Sequence, residues 1–205
     1  MKGHLMIKNI IFDMGGVLID FNPEKTVKEN FPKEHWDIVY KNVFGSKLWA
    51  DMDKGVIDAK DALPIILSSL PKEVRGTATS MVMDFYPWMP PFEEGFSLVR
   101  QIKDKGFNCF LLSNATPRFY DYKHKIPVMA LLDGIFISAD YKMLKPDAEI
   151  YLKFLEVFSL KASECFFIDD MEANVLGAKS VGIDGFTFIK KDFNNLKDVI
   201  LNLNC

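Results

Sequence analysis

Cysteine is scarce in this chain: Cys109, Cys165 and Cys205 are the full set among 205 residues, and no two form a CxxC pair. An odd, scattered set argues against a disulfide framework and fits a reducing compartment. Cys109 and Cys165 lie inside apolar runs and read as small core residues. Histidine is equally scarce. His4, His35 and His124 stand at no ligand spacing to the cysteines, which argues against a zinc site. There is no excess of positive charge: the formal net charge is -3. That argues against nucleic acid or an anionic membrane as the main partner, while leaving room for a local phosphate-binding patch. Long apolar runs are missing too, all being far shorter than the roughly 20 residues of a membrane-spanning helix. No signal peptide opens the chain. Met6-Ile7-Lys8-Asn9 reads as a natural beginning, with residues 1–5 as an added leader and the cytoplasm as the default compartment. Internal repeats and low-complexity tracts are lacking.

What remains is 49% hydrophobic and 26% charged, ordinary for a soluble globular protein. The length suits one sizeable core, or a core plus a small second domain. Lys8 to Phe12 reads as a buried strand, broken by Gly15-Gly16. From Phe21 to Pro91 helical patterns dominate, over Glu24 to Asn30, Glu34 to Val43, Asp58 to Leu70 and Glu73 to Phe85. Phe31-Pro32, Gly45-Ser46, Gly55 and Pro71 punctuate them, and Pro87, Pro90 and Pro91 mark a boundary. Beyond it, strands (Asn108 to Leu112, Ile135 to Ser138, Cys165 to Ile168, Gly185 to Phe188) alternate with helices (Phe92 to Lys105, Pro146 to Phe158, Glu172 to Val181, Phe193 to Asn202). Such alternation implies a parallel sheet with helices on both faces. The expected fold is α/β: a Rossmann-like parallel sheet core of residues 1–20 and 92–205, interrupted by a helical-bundle cap of residues 21–91.

Two of the apolar strands stop on carboxylates. Ile10-Ile11-Phe12 ends on Asp13, and Cys165-Phe166-Phe167-Ile168 ends on Asp169-Asp170. Side by side, they would bring three carboxylates to the rim of the sheet where ligands bind, within reach of one hard divalent cation. Asp13 could serve both as a metal ligand and as a nucleophile, since carboxylates form aspartyl-phosphates. Gly15-Gly16 allows close backbone approach and exposes amides to an anion. Ser113-Asn114 follows another strand and offers a hydroxyl and an amide. Lys145, in Leu144-Lys145-Pro146, brings a compact positive charge among the carboxylates. Singly, each piece has a plainer reading as a helix cap, a turn or a solvated lysine. All four in this order point to phosphoryl chemistry.

These four motifs together resemble those of the haloacid dehalogenase-like (HAD) hydrolases, subfamily I, over about Met6 to Ile189. Phe167-Ile168-Asp169-Asp170-Met171-Glu172-Ala173-Asn174 is similar to the fourth motif of the phosphatase domain of soluble epoxide hydrolase. The opening motif, with Gly15 two residues after Asp13, resembles the branch that includes α-D-glucose-1-phosphate phosphatase. The resemblance implies a Mg²⁺-dependent phosphatase for a small phosphorylated metabolite, a sugar phosphate among the candidates. It implies that Asp13 attacks phosphorus, Ser113, Asn114 and Gly16 contact the substrate, and Lys145 steadies the transition state. Asp13, Asp170, Asp169 and the Gly15 carbonyl would hold the metal, with Asn174 supporting that loop.

One departure stands out. Most phosphatases of this family carry a second aspartate, the general acid/base, where this chain has Gly15. Such an acid contributes about 10²–10⁴-fold. Trp49 to Gly55 carries Asp51, Asp53 and Lys54 and could reach over the site, but these read first as solvated charges. Trp36, Trp49, Phe85, Tyr86 and Trp88 read mostly as cap core, some shaping the pocket. Phe119-Tyr120-Asp121-Tyr122 reads as an exposed segment open to a dimer contact. Monomer and homodimer both stay open. Two competing readings remain: a metal-free 2-haloacid dehalogenase, and a catalytically weak phosphate-binding protein.

Overall fold

The computed structural model describes residues 6–203. The expected leader at 1–5 and Cys205 fall outside them. Five strands form one parallel sheet in the order β3-β2-β1-β4-β5: β1 Asn9–Phe12, β2 Asn108–Ser113, β3 Gly134–Ile137, β4 Cys165–Asp169 and β5 Asp184–Thr187. Every residue of β1 and β4 is buried, as the uninterrupted apolar runs require of strands covered on both faces.

Between β1 and β2 come α1 Pro23–Asn30, α2 Trp36–Asn42, α3 Lys47–Asp53, α4 Ala59–Ser68, α5 Arg75–Met83 and α6 Glu93–Asp104. Later helices are α7 Phe119–Tyr122, α8 Ser138–Tyr141, α9 Ala148–Phe158, α10 Glu172–Ser180 and α11 Phe193–Leu201. The strand period of two sorts the core. Ile10, Phe12 and Leu111 face Leu98 and Ile102 of α6 and Leu196 of α11. Ile11, Phe110 and Phe167 face Ile150 and Phe154 of α9 and Ala178 of α10. Helices α1 to α5 build a separate apolar cluster running from Val27 to Val82. Among the described residues no helix is long and apolar enough to cross a membrane.

Differences from the sequence reading are local. Helix α3 was not expected. Ser46 caps it by accepting from the Trp49 amide at 3.1 Å, so a serine read as punctuation is a helix start. Asp147, with ψ 135°, is the N-cap of α9, which therefore begins at Ala148 rather than Pro146. Ser138 leaves β3 and opens α8.

Candidate active site

Register sets the site. Phe12 pairs with Leu111 on one side and Ile168 on the other. The next residue, Asp13, donates its amide to Ile168 O at 2.8 Å and so emerges level with Asp169. One ligand oxygen from each of Asp13, Asp169 and Asp170 can lie within 4.8 Å of the others. This is the carboxyl edge of a parallel sheet, where ligands bind.

Lys145 holds the cluster together. Its side chain is 1% exposed, and its ammonium lies 2.8 Å from Asp13 Oδ1, 2.7 Å from Asp169 Oδ2 and 3.1 Å from Leu112 O. An ammonium has three protons to donate, and three acceptors surround it. Burial alone would lower its pKa, but Asp13 and Asp169 outweigh burial and raise it, so the lysine stays charged. Asp13 is pushed up to about 7, chiefly by burial, with Lys145 opposing and Asp169 and Asp170 adding. Asp13 Oδ1 is buried and faces the Lys145 ammonium at 2.8 Å, with no other partner among the described residues.

The two aspartates of β4 are unlike. Asp169 is fully buried and fully engaged: it accepts from the Met171 amide at 2.8 Å and from Asn174 Nδ2 at 3.0 Å on both oxygens. Tyr151 donates its hydroxyl to Asn174 O at 2.7 Å and fixes that loop. Asp170 is half-buried at the cavity. Burial and then Asp169 raise its pKa, while Lys191 and Lys145 oppose. Gly16 makes room for it: φ is +70° and a β-carbon would lie 2.0 Å from Asp170 Oδ2. The Gly16 amide is already donated, to Ile19 O at 2.9 Å. Gly16 thus acts through the side chain it lacks rather than as the anion donor the sequence suggests.

Ser113 ends β2 and is buried at the cavity floor. Asn114 is tethered at both ends of its amide: Oδ1 accepts from the Lys145 amide at 2.9 Å and Nδ2 donates to Lys145 O at 3.1 Å. It lines the cavity but works as a brace for the lysine loop, where the sequence reading has it contacting substrate.

The helical layer closes over this floor and leaves a cavity of about 480 Å³. Asp51 is an ordinary surface charge paired with Lys47. Asp53 is not, which corrects the solvated-charge reading. It lines the cavity with Asp13. Burial first, and then the Asp13 charge, hold its carboxyl well above the usual range, against a hydrogen bond from the Trp49 side chain. The loop behind it is fastened to the core. Ser138 Oγ donates to Asp53 O, and Gly55, at φ +70°, fits where a β-carbon would meet Ala139 O at 2.4 Å. Trp49 and Phe85 line the cavity, whereas Trp36 and Trp88 pack on the helical cluster. The 119–122 segment is not simply exposed: Phe119 is fully buried and Tyr122 stacks on Tyr86. Sequence reasoning missed Lys191, whose ammonium lies 3.3 Å from Gly16 O and 3.9 Å from Asp20. The available signal was its place in the loop after β5. Cys109 and Cys165 are buried free thiols, pushed up by burial to about 12 and about 11.

Three clustered carboxylates form an all-oxygen donor set suited to Mg²⁺.

Comparison with known proteins agrees with this chemistry. The family described as haloacid dehalogenase-like hydrolases matches residues 7–182. A sesquiterpene phosphatase of Aspergillus oryzae is 30% identical over 182 residues, covering 87% of this chain and 88% of that one. An (S)-2-haloacid dehalogenase of a Pseudomonas species is 26% identical over 187 residues, covering 86% of this chain and 80% of the other. A HAD family enzyme of Bacteroides thetaiotaomicron, crystallised with magnesium and inorganic phosphate, superposes with a TM-score of 0.73 at 25% identity. That match covers 88% of this chain and 93% of that one.

Proposed function

The chain belongs to the haloacid dehalogenase-like hydrolases, and on that footing we propose that it is a Mg²⁺-dependent phosphatase of a small phosphorylated metabolite, acting through an aspartyl-phosphate on Asp13. The observation that carries this reading is the clustering of Asp13, Asp169 and Asp170, with the Lys145 ammonium on the first two and with Asp13, Lys145 and Asp170 lining the cavity. Asp13 attacks phosphorus, and the bond from phosphorus to the leaving oxygen breaks. The leaving alkoxide takes its proton from Asp53, a cap carboxyl that lines the cavity with Asp13 and whose pKa is raised by burial and by the Asp13 charge. Water then attacks the aspartyl-phosphate with Asp53 as base, releasing phosphate and restoring both carboxyl groups. Ser113 binds phosphoryl oxygens. Lys145 balances the charge of Asp13 and Asp169 and of the group in transit. Asn174 holds Asp169, and Asn114 holds the Lys145 loop. Asp13, Asp170 and the Gly15 carbonyl would hold Mg²⁺, with Asp169 direct or through water; when bound, the ion supplies positive charge that offsets the phosphoryl oxygens. Residues 21–91 act as the cap that excludes water from the reaction.

Phosphate release from p-nitrophenyl phosphate, with and without Mg²⁺, tests this. The expected result is Mg²⁺-dependent turnover that falls to background in Asp13→Asn. The Pseudomonas relative keeps one alternative in play, attack of Asp13 on a halogen-bearing carbon. Halide release without Mg²⁺ would establish it. A phosphate-binding protein without turnover would bind orthophosphate and release none from any ester.

A further inference from the structure

The cavity combines a charged floor with an aromatic wall. At the floor stand Asp13, Ser113, Lys145 and Asp170, and four aromatic rings line it elsewhere. Phe85 lies 5.5 Å from Phe21, 5.4 Å from Phe44 and 5.4 Å from Trp49, ring centre to ring centre, and Phe44 lies 4.8 Å from Trp49. All four rings line the cavity, and Met52 and Met83 join them. Among these four, only Trp49 carries a polar atom. The polar side chains higher in the cavity are largely engaged. Arg118 and Asp121 pair with each other at 3.6 Å, and Asn114 is tied to the Lys145 backbone. Asp84 and Tyr40 sit exposed at the rim.

A sugar body would bring hydroxyls against this wall and find few partners for them. Buried hydroxyls without partners cost free energy, while buried hydrocarbon gains it. Size agrees. A water occupies about 30 Å³, so the cavity holds roughly sixteen such units, of which a phosphoryl group takes about five. We propose that the substrate is a phosphate monoester with a hydrocarbon body of about ten carbons, seated among Phe21, Phe44, Trp49 and Phe85. This rests on the phosphatase reading above and narrows its substrate class.

A homologous series tests it: ethyl, butyl, hexyl and octyl phosphate with the Mg²⁺-loaded enzyme, against glycerol 3-phosphate and a hexose 6-phosphate. The alcohols in the alkyl series leave with nearly constant ease, so chain length isolates binding. The expected result is a rise in kcat/KM of about fourfold per methylene, with octyl phosphate preferred over the hexose phosphate by about 100-fold. The matching n-alkyl phosphonates, which are not hydrolysed, should show the same slope in calorimetric Kd. Phe85→Ala should flatten both slopes. Met83→Gln, at the half-buried end of α5, does the same job if the first variant fails to fold. A flat series, or preference for the hexose phosphate, overturns the inference. Acetyl phosphate separates the two levels. If it is hydrolysed while the series is flat, only the hydrocarbon body is wrong. If no ester and no acetyl phosphate is hydrolysed, the phosphatase reading falls and takes the substrate class with it.

Discussion

Gly16 is defined by its neighbour. In Gly16→Ala a β-carbon would meet Asp170 Oδ2 at 2.0 Å, on a backbone already at φ +70°. The left-handed backbone alone costs a non-glycine residue about 1–2 kcal/mol, or roughly 2–8 °C in Tm for a chain of this size. Asp170 must also turn away, so the Mg²⁺ concentration for half-maximal turnover should rise about 10–100-fold. A melting curve and a Mg²⁺ titration of activity check both. Asp53→Asn should slow alkyl phosphates by about 10²–10⁴-fold and acetyl phosphate, which needs no acid, far less. Because burial raises the Asp53 pKa and the acid must be protonated, kcat for alkyl phosphates should fall as pH rises through that raised value. The Asn variant should lack this limb. Asp13, Lys145, Asp169, Asp170 and Asn174 were picked out because each lies in a short local motif, and the structure brings them together. Asp53 was not, because its role depends on which way a seven-residue helix presents it.

At the scale of elements, ends matter more than interiors. Asp133, in the turn before β3, accepts from both sides. Lys103 of α6 donates to its two oxygens at 2.7 Å each, and the Cys109 amide of β2 donates at 2.7 Å. Burial would raise its pKa, but these bonds win and lower it. A carboxyl with a lowered folded pKa stabilises the fold above its unfolded pKa and loses that contribution as pH falls through the folded value. Asp133→Asn should therefore be less stable than wild type near neutral pH, and the difference should shrink below about pH 4. Urea unfolding at both pH values measures it. The strands were readable from sequence, since buried parallel strands are continuous apolar runs. Helix α3 was not: Gly45-Ser46 and Gly55 bracket it and read as loop punctuation, and its start rests on the Ser46 cap.

For the whole molecule, the proposed ion would couple to stability through the carboxylate cluster. Asp13 and Asp169 share one ammonium, Lys145, with Asp170 beside them. An ion that binds only the folded state stabilises it by about 2.7 kcal/mol at a concentration of 100 Kd, so saturating Mg²⁺ should raise Tm by roughly 5–10 °C. Chelation should reverse that gain and abolish turnover together, as calorimetry with and without EDTA would report. The α/β class was legible because strands and helices alternate after Pro91. The cavity's aromatic wall was not, because Phe21, Phe44, Trp49 and Phe85 come from separate segments that only the packing brings together.

The order of the strands also shapes how the protein is made. β1 is the central strand and the first to leave the ribosome, yet both its neighbours arrive late. Asn9 meets Asn108 across 99 residues and Cys165 across 156. Until then Ile10, Ile11 and Phe12 have two unpaired edges and no sheet to join, the kind of segment that aggregates or recruits a chaperone. Asp13 is synthesised early and meets Asp169 and Asp170 only when β4 docks. A nascent chain released short of Asp169 would carry an exposed sticky strand and no activity.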